Sequence, residues 1–210
     1  MRDYRIKISR WIQWLYPTRT WRIPKQEKTL YLTFDDGPHP TITPFVLDQL
    51  DRYGAKAHFF CIGDNVQRYL DTYRRIIEKG HGVGNHTQHH LNGWKTTDVT
   101  YLADVTMARQ FIESDWFRPP YGRIRSRQVR LLKNQFPQTR IAMWDVLSGD
   151  FDKTRSGEWC ANQVLRSASP GSIIVFHDSE KAWDRLQVCL PIILEKFNEL
   201  GYRFEILPGN

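Results

Sequence analysis

From Thr29 onward, short runs of β-branched and aromatic residues alternate with longer stretches whose apolar positions recur at helical spacing. The short runs predict strands at 29–34, 57–61, 81–84, 116–118, 140–144, 172–176 and 203–206. The stretches between them predict helices near 43–53, 65–79, 97–113, 126–135, 158–167 and 182–200. Strand–helix alternation implies parallel strands joined by right-handed crossovers. About seven strands without a point of reversed order predict an α/β fold, a closed or nearly closed (β/α) barrel. Residues 1–27 have another texture and are read as a basic aromatic extension ahead of a single domain at 28–210. There Ile6, Ile8, Trp11, Ile12, Trp14, Leu15 and Tyr16 interleave with Arg2, Arg5, Lys7, Arg10 and Arg19. Part of this reads as a short basic amphipathic helix stopped near Pro17. Two readings stand: a peripheral anchor on anionic lipid, or aromatics packed on the main domain with the cations left in solvent.

Composition narrows the class. The 210 residues are 40% hydrophobic and 25% charged, ordinary globular values that argue against disorder. A chain of this length buries roughly 70% of its unfolded surface, so it needs no disulfide or structural metal to fold. Cys61, Cys160 and Cys189 are far apart, odd in number and without a CxxC pair, which predicts buried thiols and a reducing compartment. No apolar run approaches the roughly 18 residues of a membrane span, and the N-terminal pattern is not that of a secretory signal. The expectation is a cytoplasmic protein, at the inner membrane face if the anchor reading holds, with export by an unseen route left open. The net charge of +7 suits an anionic partner without choosing one.

In such a barrel, functional residues gather on the loops after the strands, and the unusual residues of this chain fall there. Asp35 and Asp36 follow the first strand, where adjacent side chains diverge and can take separate roles, one binding a metal and one acting as a base; the plain alternative is an Asp-Asp-Gly-Pro turn. His86 and His90 follow the third strand at i and i+4, a spacing that puts both imidazoles on one face of a helical turn. With Asp36 they make a two-imidazole, one-carboxylate set that leaves room for water on a divalent ion; alone they are a solvated His-rich loop. His89 points elsewhere on such a turn. Arg118 precedes Pro119 and Pro120, which lack backbone donors, so the Tyr121 amide becomes a candidate donor. Asp150 and His177 end later strands, where either could be merely structural.

Thr33-Phe34-Asp35-Asp36-Gly37-Pro38, His86-Thr87-Gln88-His89-His90 and Arg118-Pro119-Pro120-Tyr121-Gly122, followed by Asp150-Phe151 and Val175-Phe176-His177, resemble in order the five motifs of the NodB-homology polysaccharide deacetylases, carbohydrate esterase family 4. The resemblance runs from about Thr29 to the C-terminus. It departs at Phe151, where the family usually has Trp, and at Val175, where it usually has Leu. It implies a distorted (β/α) barrel that removes acetyl groups from N-acetylated sugars. Asp36, His86 and His90 would hold one divalent ion, zinc first, with cobalt, nickel or manganese as alternatives. Asp35 would be the base, Arg118 its charge partner, His177 the acid, Asp150 the group orienting it, and the Tyr121 N–H an oxyanion donor.

The expected substrate is a peptidoglycan- or chitin-type N-acetylglucosamine glycan, with Trp94, Trp144 and Trp183 as candidate sugar platforms. The competing readings are an O-acetyl-xylan esterase or a non-sugar amidase of the same mechanism, and an inactive glycan-binding barrel. Expected partners are the glycan, no nucleic acid, and a membrane surface through residues 1–27 if they anchor; the chain is read as a monomer.

Overall fold

The computed structural model describes residues 6–24 and 27–209. In chain order the elements are α1 (Arg10–Leu15), β1 (Arg19–Thr20), β2 (Thr29–Asp35), α2 (Ile42–Arg52), β3 (Ala57–Cys61), α3 (Gly63–Arg68), α4 (Leu70–Glu78), β4 (Gly82–Asn85) and α5 (Asp98–Ala108). They continue with β5 (Trp116–Phe117), a 3-10 turn (Pro120–Gly122), α6 (Ser126–Gln135), β6 (Arg140–Ala142), β7 (Val146–Leu147), α7 (Gly157–Ser167), β8 (Ile173–His177), α8 (Trp183–Glu199) and β9 (Arg203–Phe204). The strands pair in the order β1-β6-β5-β4-β3-β2-β8-β7, every pair parallel, and β9 adds to β2. This is the expected barrel-like α/β architecture.

β2 is buried at all seven positions, as a central parallel strand covered on both faces must be. Phe34 stacks between Phe59 of β3 and Phe176 of β8, with ring centroids 5.1 and 5.5 Å away. Outside the sheet, Leu186, Cys189, Leu190, Ile193, Leu194 and Phe197 recur at three- and four-residue steps along α8 and are buried with it. The three thiols are all buried and unpaired.

Four details differ from the sequence pattern. The strand expected at 140–144 ends at Ala142 as β6, and a separate short strand not expected, β7, follows at 146–147, because Asp145 between them turns inward to accept from Ser172 Oγ and the Ile173 N–H. The helix expected at 65–79 is two, α3 and α4, separated at Tyr69, whose ψ of 49° leaves the helical region. The helix expected at 97–113 stops at Ala108. The 86–90 segment is a loop rather than a helical turn, with Thr87 at φ 66° and His90 at φ 56°.

Residues 6–24 join the two ends of the sheet. Lys7 bridges antiparallel to Val146 of β7, with Leu147 N–H donating to the Ile6 carbonyl and Ile8 N–H to that of Asp145. β1 then pairs with β6 at the opposite end, and Arg22 bridges to Ser172 beside β8. Lys7 Nζ closes a 2.8 Å ion pair on the buried Asp145, and Trp21, Ile8 and Ile12 pack into one core cluster. The strand ends Asp35 and His177 are register partners, as are Cys61 and Asn85, and Asn85 and Phe117. The carboxyl ends of β2, β3, β4, β5 and β8 therefore surround one mouth.

Candidate active site

Asp35 and Asp36 leave the end of β2 in different directions. Asp35 Oδ1 accepts from Arg118 Nη1 at 2.7 Å, and the same nitrogen reaches Thr33 Oγ1 at 2.7 Å. Arg118 Nη2 donates to the Met143 carbonyl at 3.0 Å, and the guanidinium lies 4.0 Å from the Phe60 ring centroid. Arg118 is fully buried. That burial disfavours its cation, and Asp35 opposes the effect by charge and hydrogen bond.

Asp36 has no such cation. Its Oδ1 is buried without a hydrogen-bond partner, 3.2 Å from His90 Nε2 and 3.7 Å from His86 Nε2. Burial works against its charge, but the imidazoles of His90, His177 and His86 outweigh it and hold the carboxyl well below the usual range. His86 Nδ1–H donates to the Arg118 carbonyl at 2.8 Å, which turns Nε2 toward Asp36. Burial pushes the His86 imidazole down to about 4, so at neutral pH it is the uncharged form a metal requires. His90 Nδ1 shares a 3.1 Å hydrogen bond with the Tyr121 hydroxyl. Ligand atoms of Asp36, His86 and His90 all lie within 4.8 Å of one another. An orphaned carboxylate oxygen facing two imidazole nitrogens, each fixed through its other nitrogen, fits a divalent ion.

Across the mouth, Asp150 accepts twice from His177: from its backbone N–H at 2.7 Å and from Nδ1 at 2.8 Å. Burial alone would favour the neutral ring. The Asp150 charge and hydrogen bond, with Asp36 and Asp35 beyond, reverse this and raise His177 to about 9. Phe151 meets the His177 ring edge-on, with centroids 5.5 Å apart.

The mouth is also where the backbone departs from ordinary conformations. Among the described residues, the non-glycine positions with positive φ are Asp36, Thr87, His90 and Tyr121. All four lie in the motif loops, and two of them carry the ion-facing side chains. Such conformations persist only where surrounding contacts over-determine them. Gly37 shows one constraint: a Cβ there would sit 2.1 Å from Asp178 Oδ2.

All eight residues singled out in the sequence thus meet at one mouth. The residues that brace them were not anticipated. Asp178 accepts from the Gly37 N–H at 3.1 Å and from the Thr43 hydroxyl, pinning the Asp35–Gly37 turn to α2. Asn65 Nδ2 donates to the Asp36 carbonyl at 2.7 Å, and Arg185 Nε to the Asp150 carbonyl at 2.8 Å. Asp104 accepts from the Gln88 and His89 N–H groups and from the His89 ring, which turns His89 away from the site. The only sequence signal for any of these was the position of Asp178 directly after His177. Of the three candidate sugar platforms, Trp183 packs edge-on to Phe45 against the core, and Trp144 stands over Arg118 inside the barrel. Trp94 is half-exposed, with the Arg123 guanidinium 4.0 Å from its ring.

The polysaccharide deacetylase family matches residues 22–139. The chain belongs to that family. It is 36% identical over 191 residues to a peptidoglycan-N-acetylglucosamine deacetylase of Bacillus cereus, covering 88% of this chain and 89% of the relative. It is 35% identical over 164 residues to a chitooligosaccharide deacetylase of Azorhizobium caulinodans, covering 75% and 77%. Among solved structures, the Bc1960 peptidoglycan N-acetylglucosamine deacetylase superposes with a TM-score of 0.83 at 29% identity, covering 93% of this chain and 94% of the other. This polysaccharide deacetylase therefore retains the family fold over nearly its whole length, including the turn after β7 that carries Asp150 and the strand β8 that ends at His177, beyond the matched family segment.

Proposed function

We propose that this deacetylase hydrolyses the N-acetyl group of N-acetylglucosamine in a peptidoglycan-type glycan, with Asp36, His86 and His90 holding one divalent ion, zinc first. The observation that carries this reading is the division of labour at the mouth. One carboxylate is neutralised by a buried arginine, its neighbour is left open toward two imidazoles, and a histidine with a raised pKa stands opposite. When bound, the metal supplies a Lewis acid that polarises the acetyl carbonyl and lowers the pKa of water. Asp35, held in place by Arg118 at 2.7 Å, takes the proton from the attacking water. His177, kept protonated by Asp150, gives a proton to the departing amine. The Tyr121 N–H follows two prolines that have none, and it stabilises negative charge developing on the carbonyl oxygen. The peptidoglycan relative supports the substrate class, and the basic net charge suits an acidic polymer.

The test is acetate release from N-acetylglucosamine oligomers and peptidoglycan fragments, using metal-stripped protein with and without Zn²⁺ beside an Asp36→Ala control. Metal-dependent release, lost in the control and faster on peptidoglycan fragments, is expected. Release from acetylated xylan alone would move the assignment to an esterase. Stoichiometric metal binding without release from any substrate would leave a glycan-binding barrel.

A further inference from the structure

The short helix α1 is apolar on both sides. Ile12, with Ile8 just ahead of the helix, faces the barrel and packs against its core. Trp11, Trp14 and Leu15, spaced by three and four, face outward and are 59%, 79% and 51% exposed, and Tyr16 at the helix exit is 40% exposed. A helix buried in a core has apolar residues all round, whereas a surface helix turns a polar face to water. α1 is at the surface, and the outward side chains described on it, Trp11, Trp14 and Leu15, are apolar, so that side calls for a cover.

The charge around it says what kind. Residues 6–24 and 119–144 together carry 10 Lys and Arg and no acid, so against a whole-chain net of +7 the remainder has a net charge of −3. Structure brings the first stretch against the second. The groove between the exit of α1 and the outer face of α6 is lined by Leu15, Tyr16, Arg19, Arg130 and Lys133, with no acidic side chain along it. Arg130 and Lys133 have no ion-pair partner among the described residues, and the Arg19 guanidinium stacks 4.3 Å from the Tyr16 ring. β7 ends at the mouth, and Ile6 to Ile8 run antiparallel to it. The chain therefore enters α1 heading away from the active site.

We infer that α1 and the adjoining cationic face of α6 form a docking surface for an anionic lipid bilayer. Trp and Tyr are the side chains that settle at the headgroup level, and Arg and Lys beside them meet the anionic headgroups. At six residues, α1 is about 9 Å long. It is too short to hold the protein by apolar insertion alone, so both halves of the surface are needed. Among the described residues no helix is long and apolar enough to cross a membrane, so the contact lies on the surface. Residues 6–24 are built into the barrel, and the docking surface is therefore rigidly joined to the catalytic domain.

The experiment is co-sedimentation of the full chain with vesicles of phosphatidylglycerol mixed equally with phosphatidylcholine, and with vesicles of phosphatidylcholine alone. Binding to the anionic vesicles is expected, weakening as salt rises. Trp11→Ala/Trp14→Ala and Arg130→Glu/Lys133→Glu should each reduce partitioning by about tenfold or more. Acetate release from a short soluble oligomer should be unchanged in both, which shows that the variants fold. Equal sedimentation of parent and variants would overturn the inference. So would equal binding to the uncharged vesicles, or a concentration-dependent dimer that the Trp pair abolishes, since a second copy would then be the cover.

Discussion

Asp35 and Asp36 are chemically identical neighbours, yet the fold treats them in opposite ways. Asp35 is locked to Arg118 with Thr33 and Met143 completing the arginine's contacts, so its charge balance is internal to the protein. Asp36 keeps a buried oxygen without a hydrogen-bond donor and faces two imidazole nitrogens, so its charge is favoured by histidines rather than locked to an arginine. The difference teaches that folding alone completes the surroundings of one carboxylate, while the other belongs to a candidate ion site.

The sharpest way to break that comparison is Arg118→Met against Asp36→Asn in metal-free protein. Removing Arg118 strands a buried carboxylate and should cost about 3–5 kcal/mol of folding stability in urea denaturation. Removing the Asp36 charge should cost about 1 kcal/mol while abolishing metal binding by calorimetry. Equal losses of stability would mean that the two carboxylates are not divided as described.

Asp150→Asn tests the opposite side of the mouth. Without that charge, burial dominates and His177 titrates lower, so the alkaline limb of the pH–rate profile should move to lower pH. Turnover should fall on the order of 10²- to 10⁴-fold at neutral pH. A pH dependence of stability follows in the metal-free protein. His177 is raised to about 9 from about 6.5 when unfolded, so its cation stabilises the fold fully below about pH 6.5. That contribution is lost as pH rises through about 9. Asp150→Asn should flatten the slope, measured as denaturation midpoints across this interval.

Tyr121→Phe probes a finer part of the ion-facing half. The backbone N–H survives the substitution, but the hydrogen bond to His90 Nδ1 does not. Metal affinity should weaken by about tenfold, with turnover at saturating metal nearly unchanged. A large fall in turnover with unaltered affinity would give the hydroxyl a different role. The smallest effect is expected for Phe151→Trp. The side chain meets the His177 ring edge-on, and an indole keeps an aromatic edge there, so turnover on oligomers should change by less than about tenfold.

Much of this was legible along the chain because strand ends are where a parallel barrel concentrates polar residues. Asp35, Arg118 and His177 each follow or end an apolar run, and runs of that kind are local patterns. The strands 57–61 and the helix 126–135 were readable to the residue for the same reason. What escaped depends on partners distant in sequence. β1 is two residues long and exists because β6 lies beside it. β7 separates from β6 because Asp145 turns in toward Ser172, Ile173 and Lys7. His86 and His90 meet through two left-handed residues rather than through helical spacing. Thr43, Asn65, Arg185 and Asp104 look like ordinary polar residues of loops and helices, since nothing local marks a bracing role, and Asp178 is marked only by following His177.

The amino-acid sequence by itself determined the alternation of elements, the parallel sheet and the order of polar clusters, because hydrophobic periodicity and loop chemistry are written within a few residues. Only the tertiary structure decided which carboxylate receives the arginine and which is left open. It also decided that residues 6–24 belong to the barrel while the outer face of α1 does not. Those outcomes depend on distances between groups far apart in the chain, which burial and hydrogen-bond satisfaction set only once the fold has closed.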